Sequence, residues 1–483
     1  MARSTYSGMI GVKACTYCGA DNQDTATGCG QCGTPFVVVE SNGTTRMRCE
    51  SCGFESTLPN SFHTRRRPVN KKAYVLCPVC DEKQQRAGGL FSIYLFLFVA
   101  MIGALFAAFD RETMIGALLL NIALLQVLVF LSTVLHELGH LAAAQLAGLR
   151  VFGIEIGWGR CLADFHTGPL RWQVRALPFG GMAYATIRDT GNYRLRQSLF
   201  VIGGPIVNVI LLIIAIASFK TDERLSDVIA QGLSPGMMLF VANAALLVLS
   251  LWPQELSRSS GRVANDALLL SRIWKQPESE IAQLPVYWYY YEAEHCRRQR
   301  NYAQAEKWVT EGLERFPDSF LLLCERLGIL DDQRDYRAGL ELSERLLSRS
   351  GEQPGLEPLL LSSVAYFCAL IGDANLIGRA DETSKRGLEE MPWAPAVKGT
   401  RGAVLLRLGR YEEALQLLKE ALAAHKERAD GATCACWLAE GYLALGETAQ
   451  ARRYLGLARK LDRHCSLIDT ITERVGAADN SSQ

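Results

Sequence analysis

Long apolar segments are confined to residues 90–252 of this 483-residue chain, with polar sequence on both sides. Four of them, residues 90–109, 114–135, 198–219 and 234–252, have about 20 residues, enough for an α-helix to cross a hydrocarbon core of about 30 Å. Lipid offers the backbone no hydrogen-bond partners, so segments of this length must be helical. The sequence therefore predicts a mainly α-helical core with four membrane spans.

The charge pattern of the loops predicts how this core is oriented. Residues 149–197 contain seven arginines, whereas the loops at 110–113 and 220–232 are short and mixed in charge. Arginine-rich loops mark the cytoplasmic side, and with four spans both termini are expected on that side. No secretory signal is expected, because the first apolar run begins only at residue 90. The net charge of +1 argues against a global attraction to nucleic acid.

The second apolar run ends in an H-E-x-x-H motif formed by His136, Glu137 and His140. This spacing puts both histidines on one face of a helix, where they can bind one Zn²⁺, with the glutamate placed to activate water. Ionisable groups at membrane depth are costly, which favours a functional site over a helix with a buried histidine and a surface glutamate. A catalytic zinc usually has three protein ligands, so a third must come from elsewhere.

Three further segments make residues 118–270 resemble the site-2 protease group of intramembrane metalloproteases, family M50. In chain order they are Pro178-Phe179-Gly180-Gly181, Gly203-Gly204-Pro205-Ile206-Val207-Asn208, and Ser250-Leu251-Trp252-Pro253 followed by Asp266-Ala267. The resemblance implies strand structure near the site for the first segment and the start of the next core helix for the second. The third departs from the family pattern, N-L-x-P followed by D-G, at Ser250 and Ala267.

The resemblance also implies roles for individual residues. It implies a catalytic zinc held by His136, His140 and Asp266, with Glu137 as general base. The alternative for Asp266 is an ordinary helix N-cap, and Glu255 is the only other carboxylate between it and the fourth span. His166 is a less favoured candidate ligand. The residues expected to bind substrate are Gly180, Gly181, Gly203, Gly204, Pro205 and Asn208, and the amide of Asn208 could instead orient a metal ligand.

The function implied is that of a zinc metalloendopeptidase that hydrolyses peptide bonds in membrane-spanning substrate helices, as in regulated intramembrane proteolysis. Such a helix must unwind locally, and it could then pair with strand-like sequence near Gly180 and Gly181. The alternative is a catalytically inactive membrane adaptor that presents its flanking domains to protein partners, which the departures at Ser250 and Ala267 would support.

Residues 1–87 contain four C-x-x-C pairs. These are Cys15 with Cys18, Cys29 with Cys32, Cys49 with Cys52, and Cys77 with Cys80. The pairs predict two zinc ribbons, each with a structural Cys₄ zinc, and the other seven scattered thiols fit a reducing compartment better than a disulfide framework. Redox-active or incidental cysteines are the alternative.

A basic segment lies between the last two cysteine pairs, with Arg65, Arg66 and Arg67 at its centre. It favours contact with anionic lipid headgroups, given the nearby membrane core, and leaves open a nucleic-acid contact through the ribbons. A solvated loop is the alternative.

A repeat of 34 to about 38 residues follows the core, in which a tyrosine and a later alanine recur around Tyr302, Tyr336 and Tyr411. At Tyr411 the pattern has the form Leu-Gly-x-Tyr. Residues 284–475 therefore resemble tetratricopeptide repeats, and about five helix pairs should form a concave groove for a protein partner or substrate tail. A stabilising appendage without a partner is the alternative. We expect the tail, residues 476–483, to be disordered.

The membrane core is expected to span residues 88–283.

Overall fold

The computed structural model describes residues 114–218, 235–258, 261–352, 354–424 and 428–481, with short segments before residue 103. Residues 81–325 form one compact unit, and residues 1–80 and 326–483 belong to a second. The first predicted span, residues 90–109, lies almost entirely outside the described residues.

The described N-terminal segments form three antiparallel hairpins. They are β1 (Val12–Ala14) with β2 (Asp21–Gln23), β3 (Met47–Arg48) with β4 (Glu55–Ser56), and β5 (His63–Arg66) with β6 (Ala73–Leu76).

The predicted zinc ribbons depend on cysteines that lie mostly outside the described residues. Of the eight paired cysteines, only Cys80 is among the described residues. The other seven lie outside them, namely Cys15, Cys18, Cys29, Cys32, Cys49, Cys52 and Cys77. The two Cys₄ zinc sites, which depend on these residues, therefore stay a prediction.

The membrane core contributes three apolar helices to the described residues, namely α1 (Met114–Leu146), α2 (Tyr193–Ala217) and α3 (Pro235–Leu251). Stretches of α1 and α2 are long and apolar enough to cross a membrane, whereas α3 has 17 residues and is shorter than the predicted fourth span. Four spans are therefore not confirmed; the described part of the chain has two candidate spans. On α2, Ile206, Ile210 and Ile213 are half exposed along one helical face, which suits contact with lipid.

Glycines let α1 and α2 approach closely beside the histidine motif. A Cβ on Gly139 would lie 2.6 Å from the carbonyl oxygen of Gly203, and a Cβ on Gly203 would lie 2.5 Å from the Cβ of Ala143. Small residues at a helix crossing bring the two backbones together. The G-G-P-x-x-N segment consequently lies within α2, about three turns after its start at Tyr193, and not at the beginning of the helix as the resemblance implied.

Between α1 and α2 the chain forms a long bent hairpin of β7 (Arg150–Thr167) and β8 (Leu170–Thr186). The first part of β7 pairs on one side with residues 181–186 and on the other with residues 171–174. Residues 181–186 therefore lie at the edge of this sheet. The predicted strand structure around Gly180 and Gly181 is confirmed.

After α3, the hairpin of β9 (Glu255–Arg258) and β10 (Gly261–Ala264) leads into α4 (Asp266–Ile273) and the short α5 (Glu278–Ile281). Asn265 caps α4, because its side-chain oxygen accepts a hydrogen bond from the amide of Leu268. Its amide nitrogen also donates to the carbonyls of Leu249 and Trp252, which ties α4 to the end of α3.

Eleven further helices follow in the described residues. They are α6 (Val286–Arg298), α7 (Tyr302–Arg315), α8 (Phe320–Asp332), α9 (Tyr336–Ser348), α10 (Glu357–Ile371), α11 (Ala374–Glu390), α12 (Pro395–Arg407), α13 (Tyr411–Ala424), α14 (Arg428–Ala444), α15 (Thr448–Leu461) and α16 (Ile468–Ser481). The turns inside five successive pairs each contain a residue with positive φ, which recurs every 34 to 38 residues: Arg300, Arg334, Gly372, Gly409 and Gly446. The predicted period and number of pairs are confirmed.

The tail differs from the prediction. Helix α16 continues to Ser481 and so includes most of residues 476–483, which we expected to be disordered. Ile468, Ile471 and Val475 are buried in the first half of this helix, so packing fixes that half. Each further residue then adds a hydrogen bond to an existing helix, which extends it into the polar end.

The first helix pair packs on the β7–β8 hairpin of the core. Phe152 of β7 and Tyr291 of α6 stack with ring centroids 3.5 Å apart, and Arg150 forms an ion pair with the buried Glu292. Arg188 lies over the ring of Trp308 on α7. This pair therefore belongs structurally to the unit that contains the histidine motif.

We expect Leu418→Ala to lower the free energy of unfolding of the repeats by about 3 kcal/mol, since it would empty a fully buried position on α13. Hydrogen exchange of peptides from α12 and α13 in the full chain measures the change. Leu359→Ala is the matched control, because Leu359 is 39% exposed, and it should cost less than about 1 kcal/mol. Equal effects of the two substitutions would contradict the packing described here.

Candidate metal centre and active site

Three predicted ligands meet where α1 faces the start of α4. The Nε2 atoms of His136 and His140 are 3.2 Å apart, and Asp266 oxygens lie 3.3 Å from the first and 3.5 Å from the second. In a tetrahedral zinc site with bonds of 2.0–2.1 Å, neighbouring ligand atoms are about 3.3 Å apart. The three side chains thus have the chemistry and the spacing that Zn²⁺ requires.

Both histidines are held by their other ring nitrogen. Nδ1 of His140 donates to the carbonyl of Phe200 at 2.8 Å, and Nδ1 of His136 bonds the side-chain oxygen of Asn208. Because a proton on Nδ1 leaves the lone pair on Nε2, each imidazole presents its Nε2 to the common point.

Asp266 is the first residue of α4. It is not the N-cap of this helix, because Asn265 is. The hydroxyl of Ser250 donates to the Asp266 carboxylate. Burial raises the pKa of the Asp266 carboxyl, but its hydrogen bonds and the nearby histidines outweigh burial, so this pKa lies below its usual value. The carboxylate form that binds a metal is therefore favoured.

The other two candidate ligands lie elsewhere. Glu255 forms an ion pair with Arg272 on the outer side of α4. His166 is exposed near the tip of the β7–β8 hairpin, where it pairs with Arg171 across the strands. Neither belongs to the group formed by His136, His140 and Asp266.

Two of the predicted substrate-binding glycines lie directly against the histidine rings and the Glu137 carboxylate. A Cβ on Gly204 would lie 2.4 Å from Nε2 of His140 and 2.5 Å from Nε2 of His136. A Cβ on Gly181 would lie 2.2 Å from Oε1 of Glu137, so this carboxylate rests directly against the backbone of β8. Both positions exclude any side chain.

A cavity of about 800 Å³ opens onto this group. Its wall includes His136, Glu137 and Asp266 together with Gly180 and Gly181 from β8. The remaining predicted substrate-binding residues, Gly203, Pro205 and Asn208, are buried within α2. Asn208 is fully buried with its amide against His136, a contact that orientation of a metal ligand would require, and both of its predicted roles stay predictions.

Sequence reasoning missed Asn243, whose amide hydrogen-bonds Asn208 at 3.0 Å. A signal was present, because Asn243 and Ser250 are seven residues apart in the apolar α3. That spacing is two helical turns, so both polar groups share one face, which points at Asn208 and Asp266.

The chain is similar to known metalloproteases and to repeat proteins. A model of peptidase family M50 matches residues 124–429, and a tetratricopeptide-repeat model matches residues 405–474. A 117-residue segment is 38% identical to a protein of Synechocystis sp. whose name describes a zinc metalloprotease, and it covers 22% of this chain and 31% of that one. A 48-residue segment is 46% identical to an Arabidopsis thaliana protein named as a chloroplast membrane metalloprotease, covering 10% of this chain and 11% of that one.

The chain thus matches less than a third of the length of these relatives. Among solved structures, a tetratricopeptide-repeat protein of Thermus thermophilus aligns with 40% of this chain and 98% of its own length, at 18% identity and a TM-score of 0.33.

Proposed function

The chain belongs to peptidase family M50, and we propose that it is a multi-pass intramembrane zinc metalloprotease that hydrolyses peptide bonds within membrane-spanning helices of other proteins. The observation that carries this proposal is the triangle of His136, His140 and Asp266 at zinc-binding distances, beside Glu137 and an adjoining cavity.

Zinc at this centre would polarise the scissile carbonyl and lower the pKa of the attacking water toward about 7. Glu137 would take the proton from that water and later give it to the leaving amine. The position of its carboxylate supports this role, because Glu137 is 3% exposed and lies at the cavity wall. The Glu137 carboxylate contacts the backbone of Gly181, which has no side chain to displace it.

The substrate would bind along β8. Residues 180–185 line the cavity, and residues 181–185 belong to the edge of the sheet, where an extended peptide can add as a further strand. A substrate helix would have to unwind locally, and strand pairing would then satisfy its backbone in a poorly hydrated setting. Gly180 and Gly181 would allow the two backbones to approach closely.

Four spans with both termini in the cytoplasm remain the proposed topology. The arginine-rich segment between α1 and α2 supports this orientation. The cytoplasmic ribbons of residues 1–87 would each hold one structural zinc, and the repeats would bind a protein partner in their groove. A nucleic-acid partner would rest on the basic segment at residues 65–67 alone.

We expect Asp266→Ala to remove about one zinc ion per chain, since a site left with two histidines binds zinc far more weakly. Metal analysis measures the difference in zinc content between the purified wild-type chain and Asp266→Ala. Zinc held by the cysteine pairs is the same in both samples and cancels. Glu255→Ala is the matched control, because Glu255 lies in the same segment but pairs with Arg272, and it should keep the full zinc content.

Equal zinc contents of the wild type and Asp266→Ala would overturn the proposed metal centre. The chain would then be better described as an inactive adaptor, the alternative suggested by Ser250 and Ala267. The hydrogen bond from Ser250 to Asp266 argues against that alternative, because it gives the altered residue a role in holding the ligand.

A further inference from the structure

A chain of buried amides leads from α3 to the first metal ligand. Asn208 on α2 donates from Nδ2 to Oδ1 of Asn243 on α3 at 3.0 Å. Asn243 in turn donates from its own Nδ2 to the carbonyl of Leu239 at 2.9 Å and to the hydroxyl of Ser132 on α1 at 3.1 Å. Asn208, Asn243 and Ser132 are each at most 1% exposed.

The donors and acceptors in this series of hydrogen bonds can be arranged in one direction only. The carbonyl of Leu239 can only accept a hydrogen bond, so the amide of Asn243 must turn its nitrogen toward it. The oxygen of Asn243 then faces Asn208 and requires the nitrogen of Asn208. The remaining oxygen of Asn208 therefore faces His136, where it can only accept the proton of Nδ1.

The two histidines thus obtain the same tautomer by different means. For His140 a backbone carbonyl, that of Phe200, contacts Nδ1 directly and can only accept. For His136 the contacting group is a side-chain amide, which can present oxygen or nitrogen. A nitrogen at that place would demand the lone pair of Nδ1 and leave a proton on Nε2, where the metal must bind.

We infer that Asn243 is a positioning residue for the metal centre. It orients the amide of Asn208, and through it His136 is kept in the tautomer whose Nε2 can bind a metal. This inference rests on the proposed metal centre and extends it to a residue on a third helix that contacts none of the ligands. Groups that orient ligating histidines typically change metal affinity 10- to 100-fold when they are removed.

The test measures binding of Co²⁺ to the full chain. Cobalt bound to thiolates has a charge-transfer absorption that a site of two histidines and a carboxylate lacks, so the cysteine pairs are distinguished from this centre. We expect Asn243→Leu to weaken cobalt binding at the histidine centre about 10-fold. Asn121→Leu is the matched control, since it removes a different buried asparagine. Asn121 lies on α1, about 22 Å along the helix from His136. It should leave the affinity unchanged.

A rescue separates orientation from packing. Aspartate at position 208 has two oxygens and cannot present a nitrogen, so it needs no partner to accept from Nδ1 of His136. The double variant Asn208→Asp/Asn243→Leu should therefore regain an affinity within about 3-fold of the wild type. If Asn243 served only to pack α3, a substitution on α2 would not restore metal binding.

Two results would overturn the inference: wild-type affinity in Asn243→Leu, or no recovery in the double variant while circular dichroism shows intact helices. Failure of the proposed function is different and separately visible. In that case the wild type itself would show no cobalt centre that Asp266→Ala removes.

Discussion

Replacing Glu137 with glutamine is expected to reduce peptide-bond cleavage by about 100- to 10,000-fold, the usual contribution of a general acid–base group. The amide keeps the size of the side chain and therefore its fit against the backbone of Gly181. It cannot take a proton from water at neutral pH, so the chemical step loses its base. Glu137 is not among the three candidate ligands, so the zinc content should stay unchanged.

The measurement is cleavage of a single-span test protein, one that the wild type cuts, in proteoliposomes, together with metal analysis of the same samples. Glu314→Gln is the control, because Glu314 is exposed on α7 and distant in sequence from the motif. Unaltered cleavage by Glu137→Gln would exclude Glu137 as the base. Loss of zinc along with activity would instead show that Glu137 acts by holding the site together.

Only part of the candidate site could be predicted from a local rule. The i, i+4 spacing brings His136 and His140 onto one helical face, and that part of the site needs only the helix. Asp266 required more, since Asn265 and Asp266 are adjacent polar residues at a helix start and either could serve as the cap. Only the packing of α4 against α3 shows that Asn265 is the cap and that Asp266 faces the histidines.

Groups that act through tertiary contact left weaker signals. The carbonyl of Phe200 has no side-chain signature at all, and its bond to His140 follows from how α2 crosses α1. Asn243 was visible as a polar residue in an apolar helix, but its partner depends on the depth at which α3 packs. The stacking of Tyr291 on Phe152 likewise depends on tertiary packing, because the repeat pattern specifies helix pairs and not what the first pair covers.

Gly204 lies against both candidate histidine ligands and has no room for a side chain. An added Cβ would overlap the Nε2 atoms of both His140 and His136, at 2.4 and 2.5 Å. Neither histidine can withdraw easily, because Nδ1 of each is fixed by Phe200 or Asn208. The methyl group would therefore occupy the space between the ligands and α2 and push both imidazoles out of position.

We accordingly expect Gly204→Ala to weaken zinc binding at this centre by at least about 100-fold, the upper end for a disturbed ligand environment, and to abolish cleavage with it. Helical content should not fall, since alanine favours helix over glycine by about 1 kcal/mol. Metal analysis and circular dichroism of the full chain test both statements. Gly378→Ala is the matched control, because an added Cβ on this helical glycine meets nothing within 4 Å, and it should keep all its zinc. Full zinc occupancy in Gly204→Ala would mean that α2 does not pack against the ligands as described, and the close approach at Gly203 would then be equally in question.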